Sequence, residues 1–150
     1  MAQCRRARDG QGGAGAVGRA RRGVSERFEF SPSTLASAGA RRWLRDVLAA
    51  SGLRDRDGSL ELLLSEVVTN VVRHANTSGT VVLERRGDGV RLTVRDSGPG
   101  VPALRSSASP GRGGWGLQFV DRLADRWGVD VTDGAKAVWF ELDGVEAAVR

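Results

Sequence analysis

The sequence predicts an α+β domain, a two-layer sandwich in which a mostly antiparallel sheet carries helices on one face. Gly87-Asp88-Gly89 is a tight glycine turn between two segments in which apolar residues alternate with polar ones. Such turns are typical of antiparallel hairpins. The helical patterns occur in separate blocks and do not alternate with every strand, which argues against a parallel sheet. A chain of 150 residues is long enough to bury one hydrophobic core.

The basic character of the chain is confined to its first 24 residues. They contain six arginines and one acid, whereas the remainder has 17 basic and 17 acidic residues and no net charge. This segment, rich in Gly, Ala and Arg, cannot bury enough apolar surface to offset its ordering entropy, so residues 1–24 are predicted to be a disordered basic tail. The folded domain is not expected to bind nucleic acid, and binding through the tail alone is an alternative hypothesis.

Composition also limits the compartment and the cofactors. No apolar run approaches the roughly 20 residues that span a bilayer, so no membrane association is expected. A single cysteine, Cys4, excludes an internal disulfide and suits a reducing compartment, which favours a cytoplasmic location. With one cysteine and one histidine in the chain, a zinc site is not expected.

Residues 27–30 alternate and predict a short strand, which a helix follows. Ser31-Pro32 is typical of a helix start, with a capping hydroxyl and proline at the first helical position. The helix is predicted to run to about Ala50, with Gly52 as its stop. Its predicted apolar side comprises Leu35, Ala38, Trp43, Leu44, Val47 and Leu48.

A second helix is predicted to open at Asp57-Gly58-Ser59. Its polar side carries Glu66 and Asn70, which are four residues apart and therefore neighbours on one helix face, with Arg73 close by. On this helix alone, the polar stripe is equally well explained as a solvated surface. Apolar residues recur at helical spacing and predict a buried face: Leu60, Leu63, Leu64, Val67, Val68 and Val71.

An aspartate and two groups of glycines predict a purine nucleotide site. Strands are predicted over residues 81–86, 90–94, 127–131 and 137–142, and Asp96 follows the second of them. A carboxylate at a strand end can accept hydrogen bonds from an exocyclic amine. Glycines 98 and 100 follow it, and the cluster at residues 111–116 leads into a helix, whose free N–H groups suit a phosphate chain.

The order of these elements excludes other glycine-loop folds. A Walker loop needs Gly-Lys-Ser or Gly-Lys-Thr, and the only lysine, Lys136, lies elsewhere. A Rossmann fingerprint would open a parallel βαβ unit, whereas these glycines follow a hairpin. The catalytic-loop and strand-lysine motifs of protein kinases are missing from the sequence.

Three sequence boxes resemble those of the Bergerat-fold ATPases, the family of sensor histidine kinases, gyrase and Hsp90 chaperones. Residues 66–75 resemble the N box, residues 96–100 the first glycine box, and residues 111–116 with the helix behind them the second. Residues 136–142 resemble the closing strand. Within the family, the chain is similar to the small anti-sigma-factor serine kinases common in actinobacteria. The resemblance implies an ATP-binding domain over residues 25–143 and a C-terminal tail over residues 144–150.

The resemblance also implies a role for each matching residue. Asn70 would hold Mg²⁺, Asp96 would accept a hydrogen bond from the adenine amine, and Glu66 would be the general base. Arg73 would stabilise the negative charge of the phosphates. The glycine boxes would supply Gly98 and Gly100 beside the base and ribose, Gly114 and Gly116 beside the phosphates, and Gly111, Gly113 and Leu117 as further nucleotide-binding residues.

The function that the resemblance implies is that of an ATP- and Mg²⁺-dependent serine/threonine kinase. Its substrate would be an anti-anti-sigma partner of the STAS type, and it would also be able to sequester a sigma factor. The alternative is a nucleotide-binding docking module that regulates a partner without phosphoryl transfer. Homodimers are common in the family, and Trp43 or the first strand would be available for such an interface.

Overall fold

The structure, a computed structural model of the chain, describes residues 25–55, 57–96, 115–132 and 135–147. The predicted tail at residues 1–24, the glycine-rich residues 97–114 and the predicted turn at residues 133–134 lie outside the described residues. In chain order the elements are β1 (Glu26–Phe30), α1 (Ala36–Ala50), β2 (Leu53–Arg54), α2 (Ser59–His74), β3 (Gly79–Arg86), β4 (Gly89–Asp96), α3 (Trp115–Leu123), β5 (Arg126–Thr132), β6 (Ala135–Leu142) and β7 (Glu146–Ala147).

Five strands form one antiparallel sheet in the order β1-β3-β4-β6-β5. Helix α1 contacts β1, helix α2 contacts β4, and helix α3 contacts both α2 and β5. The α+β sandwich predicted from the sequence is confirmed, including the β3–β4 hairpin. None of the helices in the described part of the chain has the length and apolarity that a membrane span requires.

The central strand β4 determines which residues face the helices. Val90, Leu92 and Val94 alternate along it, and each is at most 1% exposed. Opposite them, Phe140 pairs with Leu92 and Val138 pairs with Val94 on β6, so the same face is apolar across the sheet. Removing one such side chain from water contributes about 1.5–3 kcal/mol, and this row therefore holds the sheet against the helices.

Helix α2 covers that face, as its spacing predicts. It begins at Ser59, where the Asp57 carboxylate accepts a hydrogen bond from the Ser59 N–H at 3.0 Å. Asp55 was not singled out in the sequence, but its carboxylate accepts from the Leu60 and Glu61 N–H groups at 3.2 and 2.9 Å. All six apolar residues predicted for the buried face are buried: Leu60, Leu63, Leu64, Val67, Val68 and Val71.

Helix α1 begins at Ala36, later than the predicted start at Ser31-Pro32. A turn precedes it, in which the Ser33 hydroxyl accepts from the Leu35 N–H at 3.0 Å. Leu35 lies before the first helical turn and is 73% exposed, and Ala38 is also exposed, so both were wrongly assigned to the apolar side. Trp43 is half-buried and stacks on Phe28 of β1. The residues of α1 that are buried are Ala36, Ala40, Leu44, Val47 and Leu48.

A second, two-stranded sheet joins the end of the described chain to the α1–α2 connection. Leu53 of β2 pairs with Ala147 of β7, and Arg54 pairs with Glu146. Val145, just before β7, is 8% exposed and belongs to the core. The described part of the predicted C-terminal tail therefore packs on the domain.

The face of the large sheet opposite the helices carries a compact polar and aromatic cluster. Trp139 lies so close to Gly128 that a Cβ atom at that glycine would be 2.7 Å from the indole ring. The Arg91 guanidinium lies 4.2 Å from the centroid of the same ring. Glu141, 8% exposed, accepts from Arg91 at 2.7 Å and from Arg126 at 2.5 Å. Two guanidinium groups thus neutralise one buried carboxylate.

Glu141→Gln should destabilise the protein and make its free energy of unfolding depend less on pH in the acid range. Burial acts to raise the pKa of Glu141, but hydrogen bonds from Arg126 and Arg91 outweigh it, so the pKa lies below the usual value of a glutamate carboxyl group. The stabilisation is therefore present above pH 4.5 and is lost as the pH falls through the lower folded-state pKa. At pH 7 we expect the free energy of unfolding to fall by about 1–3 kcal/mol, measured by urea unfolding from pH 7 to pH 3.

The matched control for this prediction is Glu84→Gln, on the same face of the sheet. Glu84 pairs with Arg86 at 3.4 Å, but the two side chains are 38% and 51% exposed. Exposed pairs contribute little, so this variant should keep the wild-type pH profile. If Glu141→Gln loses as much stability as the wild type between pH 5 and pH 3, the proposed contribution of Glu141 is wrong.

Candidate functional site

One row of residues crosses the end of the large sheet on its helix-facing side. Phe30 pairs with Gly79, Gly79 with Asp96, and Val131 with Lys136. The β4–β6 register, with Arg95 opposite Ala137, places Asp96 opposite Lys136 and completes the row. Since side chains alternate along a strand, these positions share the face that Val94 and Val138 occupy one step further into the core.

Asp96 is a buried carboxylate at the point where the apolar core ends. It is 7% exposed, and its Oδ1 accepts a hydrogen bond from the backbone N–H of Lys136 at 3.4 Å. It accepts no other hydrogen bond from a described residue. An ionised carboxylate has about four acceptor positions, so most of the hydrogen-bonding capacity of Asp96 is available to a ligand.

Gly79 and Phe30 form an apolar wall beside Asp96. A Cβ atom at Gly79 would lie 2.3 Å from the Phe30 ring and 2.8 Å from the Arg95 carbonyl oxygen. Only glycine allows the ring to cover β3 at this point. Phe30 is 5% exposed, so the apolar core extends to this row and ends beside the polar acceptor, a combination typical of sites for flat, partly polar ligands.

Helix α2 places Glu66 and Asn70 on the flank away from α1. Helix α1 contacts α2 at Ser65, because the Ser65 hydroxyl lies 2.7 Å from the hydroxyl of Ser37 on α1. Five residues of helix correspond to about 140° of rotation, so Asn70 lies on the opposite flank from that contact. Glu66 and Asn70 are both half-buried, whereas Arg73 is exposed. Because α2 ends just before β3 begins, Asn70 is at the Asp96 end of the sheet.

Helix α3 approaches the same flank of α2. Leu123, its last residue, lines a cavity together with Ser59, the first residue of α2, and the two helices contact each other. The nine residues of α3 span about 13 Å. Because the two helices contact each other and the end of α3 borders the start of α2, this length would bring the N-terminus of α3 toward the middle of α2. Leu117, in the first turn, is half-buried and packs against the core.

The predicted site residues are thus divided between two parts of the chain. Glu66, Asn70, Arg73, Asp96 and Leu117 lie in described elements, and Gly116 is the second residue of α3. The connection from Asp96 to α3 lies outside the described residues and contains the other predicted glycines: Gly98, Gly100, Gly111, Gly113 and Gly114. The sequence did not single out the neighbours of Asp96 in the row: Phe30, Gly79 and Lys136. These residues can be identified only from the pairing of the strands, which a local sequence pattern does not show.

Charge at the site is concentrated in one buried pair. Lys136 is 8% exposed, and burial lowers the pKa of its ammonium group, while the Asp96 carboxylate acts in the opposite direction. Among the described residues, no group of three or more His, Cys, Asp or Glu side chains could hold a metal ion. A divalent cation here would need most of its ligands from a bound anion or from water.

The large cavity at the other end of the sheet contains none of the predicted site residues. It has a volume of about 430 Å³ and is lined by apolar residues such as Val47 and Leu53 and, in equal number, by polar or charged residues such as Asp46 and Arg85. It is separated from the Asp96 row by the length of β3. The chemistry indicated by the sequence is therefore at the end of the sheet where β4 ends and β6 begins.

Comparison with known proteins agrees with this architecture. A family model described as the histidine kinase-like ATPase domain matches residues 28–142. Blue-light-activated histidine kinase 2 of Erythrobacter litoralis (strain HTCC2594) is 34% identical over 94 residues, which cover 57% of this chain and 27% of that protein. The crystal structure of the RsbU and RsbW domains of Rv1364c from Mycobacterium tuberculosis matches with a TM-score of 0.61 at 23% identity, over 80% of this chain and 32% of that one.

The chain spans between a quarter and a third of the length of these two proteins. At 23% identity, the structural match shows a shared fold. The family model, in contrast, covers most of the chain, including Glu66, Asn70 and Asp96. The chain therefore belongs to the histidine kinase-like ATPase domain family, which implies that it binds ATP.

Proposed function

We propose that the chain is a regulatory protein kinase that transfers the γ-phosphoryl group of ATP to a serine or threonine of a partner protein. The observation that carries the proposal is the position of Asp96. It is a buried carboxylate with unused acceptor capacity, at the end of the sheet that α2 and α3 border. A carboxylate in this position fits the exocyclic amine of adenine, which needs an acceptor and an apolar wall beside it.

The helix-side groups fit the triphosphate part of ATP. Asn70 would offer its side-chain oxygen to Mg²⁺, an ion that keeps several waters and binds mainly through substrate phosphates. When bound, Mg²⁺ would neutralise phosphate charge during transfer. The free N–H groups at the start of α3 are suited to phosphate oxygens.

Glu66 would act on the acceptor hydroxyl. It lies one helical turn before Asn70 on the same flank of α2, so a group that reaches the phosphates from this side meets both residues. In the transfer, the hydroxyl oxygen bonds to the γ-phosphorus, the bond to the β-phosphate oxygen breaks, and ADP leaves. The hydroxyl proton passes to the Glu66 carboxylate.

The proposed partner is a STAS-type anti-anti-sigma protein, with a sigma factor as a second binding partner. The resemblance of residues 66–75, 96–100 and 111–116 to the boxes of anti-sigma-factor kinases supports this choice, and so does the fold shared with a protein that contains an RsbW domain. A phosphate group adds nearly two negative charges and would separate the partner from the kinase by charge repulsion and desolvation.

A histidine acceptor is a second candidate, because the 34% identical relative is a histidine kinase by name. The two acceptors differ chemically, since phosphoserine and phosphothreonine survive acid whereas phosphohistidine does not. Incubation with radiolabelled ATP and a STAS-domain protein, followed by acid treatment, therefore distinguishes them. ATP binding without any transfer to a partner would favour the docking module instead.

Asp96→Asn should weaken ATP binding about tenfold or more, because the one remaining side-chain oxygen would accept from the Lys136 backbone N–H and the amide N–H₂ would face the adenine amine, where two donors cannot pair. Calorimetric titration of ATP measures the affinity. The matched control is Asp130→Asn, an exposed residue on the opposite face of β5, which should keep the wild-type affinity. Equal affinities of both variants and the wild type would exclude Asp96 from the site.

Glu66→Gln should separate binding from transfer. The amide keeps the size of the side chain but cannot accept the proton, so phosphoryl transfer should fall by about 100-fold or more while the ATP affinity changes by less than about threefold. Radiolabel transfer and calorimetry on one preparation measure both quantities. Glu84→Gln, on β3, is the control with the same chemical change. A parallel loss of binding and transfer would contradict the role of Glu66 as base.

Asn70→Ala should remove the effect of Mg²⁺ on ATP affinity. In the wild type, we expect Mg²⁺ to tighten ATP binding, since the ion joins the phosphates to the protein. In the variant, titrations with Mg²⁺ and with a chelator should give equal affinities. Thr69→Ala, the preceding half-buried residue of α2, is the control and should retain the Mg²⁺ effect. A variant that still responds to Mg²⁺ would show that another group holds the ion.

A further inference from the structure

Asp96 and Lys136 are two buried charges that face each other across neighbouring strands. The register of β4 and β6 places them opposite one another on the helix-facing side of the sheet. Directly opposite positions have Cβ atoms about 4.5–5.5 Å apart. Both residues are more than nine-tenths buried, at 7% and 8% exposure, and Lys136 is the only lysine of the chain.

Neither charge has a close ion-pair partner among the described residues. Asp96 accepts one hydrogen bond, from the Lys136 backbone N–H, at the long distance of 3.4 Å. The Lys136 ammonium forms no ion pair or hydrogen bond with any described side chain. An ammonium group has three donors. In the described part of the chain, Thr77 Oγ1 is the one fully buried side-chain polar atom that lacks a partner. The Lys136 ammonium is therefore not fully enclosed, and its donors are available to a ligand.

The pair offers an acceptor and a donor side by side. This is the pattern complementary to the Watson–Crick edge of adenine, on which the N6 amine donates and the neighbouring N1 accepts. We propose that Lys136 is a second base-recognition residue, which donates from its ammonium group to adenine N1 while Asp96 accepts from the N6 amine. The assignment rests on the proposed ATP site and extends it to a residue outside the three sequence boxes.

The geometry distinguishes this role from that of a structural ion pair. On the opposite face, Glu141 shows what a structural pair looks like in this protein, with two guanidinium groups at 2.7 and 2.5 Å. Lys136 has no comparable contact. Its other strand neighbour is Val131 of β5, which is 54% exposed and supplies no acceptor. The apolar ring of Phe30 covers the row on the other side of Asp96.

A chemical double-mutant cycle tests the proposal. ATP and 1-deaza-ATP, in which a C–H group replaces N1, are titrated into the wild type and into Lys136→Met by calorimetry. A hydrogen bond from a charged donor should make 1-deaza-ATP bind about tenfold more weakly than ATP to the wild type. Lys136→Met keeps an unbranched side chain that is one atom shorter and has no charge. In this variant, the affinity for ATP should fall by the same factor, and the two nucleotides should bind with equal affinity.

The control variant is Arg95→Met, which removes one positive charge at the same end of the sheet but on the opposite face. Arg95 is exposed and precedes Asp96. If Lys136 acted only through its charge, both variants would weaken ATP and 1-deaza-ATP alike. Such equal losses would overturn the proposal, and so would tighter binding of GTP than of ATP by the wild type, since guanine presents the reversed pattern.

The outcomes also separate this inference from the proposed function. Wild-type protein that binds ATP but does not distinguish it from 1-deaza-ATP overturns the role of Lys136 and leaves the ATP site standing. Wild-type protein that binds neither nucleotide overturns both. The wild-type comparison is decisive even if Lys136→Met fails to fold, which thermal unfolding of the variant would show.

Discussion

The burial of one side of β4 is the constraint on which the rest of the structure depends. Three of its side chains are almost inaccessible to water, and the strand is hydrogen-bonded on both edges. Because side chains alternate, this burial also fixes the direction of the fourth residue in the series, Asp96. A shift of the register by one residue would expose the apolar row and move the carboxylate to the opposite face. The same free energy that forms the core therefore orients the site.

Buried charged residues on the two faces of the sheet differ in how they are paired. On the open face, Glu141 has two guanidinium partners at short distances, and its charge contributes to stability. On the helix-facing side, Asp96 and Lys136 are as deeply buried but largely unpaired within the described chain. The first arrangement stabilises the domain. The second leaves hydrogen-bonding capacity that a ligand can use, which is typical of functional sites.

Much of this could be predicted from the sequence, where the signals are local. The six apolar residues of α2 follow one helical period, and the β3–β4 hairpin follows from its glycine turn. The start of α1 was placed too early because Ser31-Pro32 satisfies the local rules for a helix start, whereas the chain first makes a turn that leaves Leu35 in solvent. The β2–β7 pair was missed because two-residue strands have no periodicity to detect.

For the candidate site, the sequence identified the residues whose neighbours in the chain form boxes, such as Glu66, Asn70 and Asp96. It could not identify Lys136 as a neighbour of Asp96, because that relation depends on pairing between β4 and β6. The two residues are 40 positions apart. No local pattern specifies such a register, which arises from the fit of two apolar strand faces under the helices. The role of each site residue stays a prediction for the binding experiments.

The separation between Asp96 and Lys136 has a consequence for the kinetics of folding. The β3–β4 hairpin needs only a short chain closure, whereas β4–β6 pairing must first close a long loop and lose the corresponding chain entropy. A ligand held between these two residues stabilises a contact that exists only after that closure. Its effect should therefore appear mainly as slower unfolding, with little change in the rate of folding. Nucleotide occupancy would then set how long each molecule stays folded, and with it the lifetime of the protein in the presence of proteases.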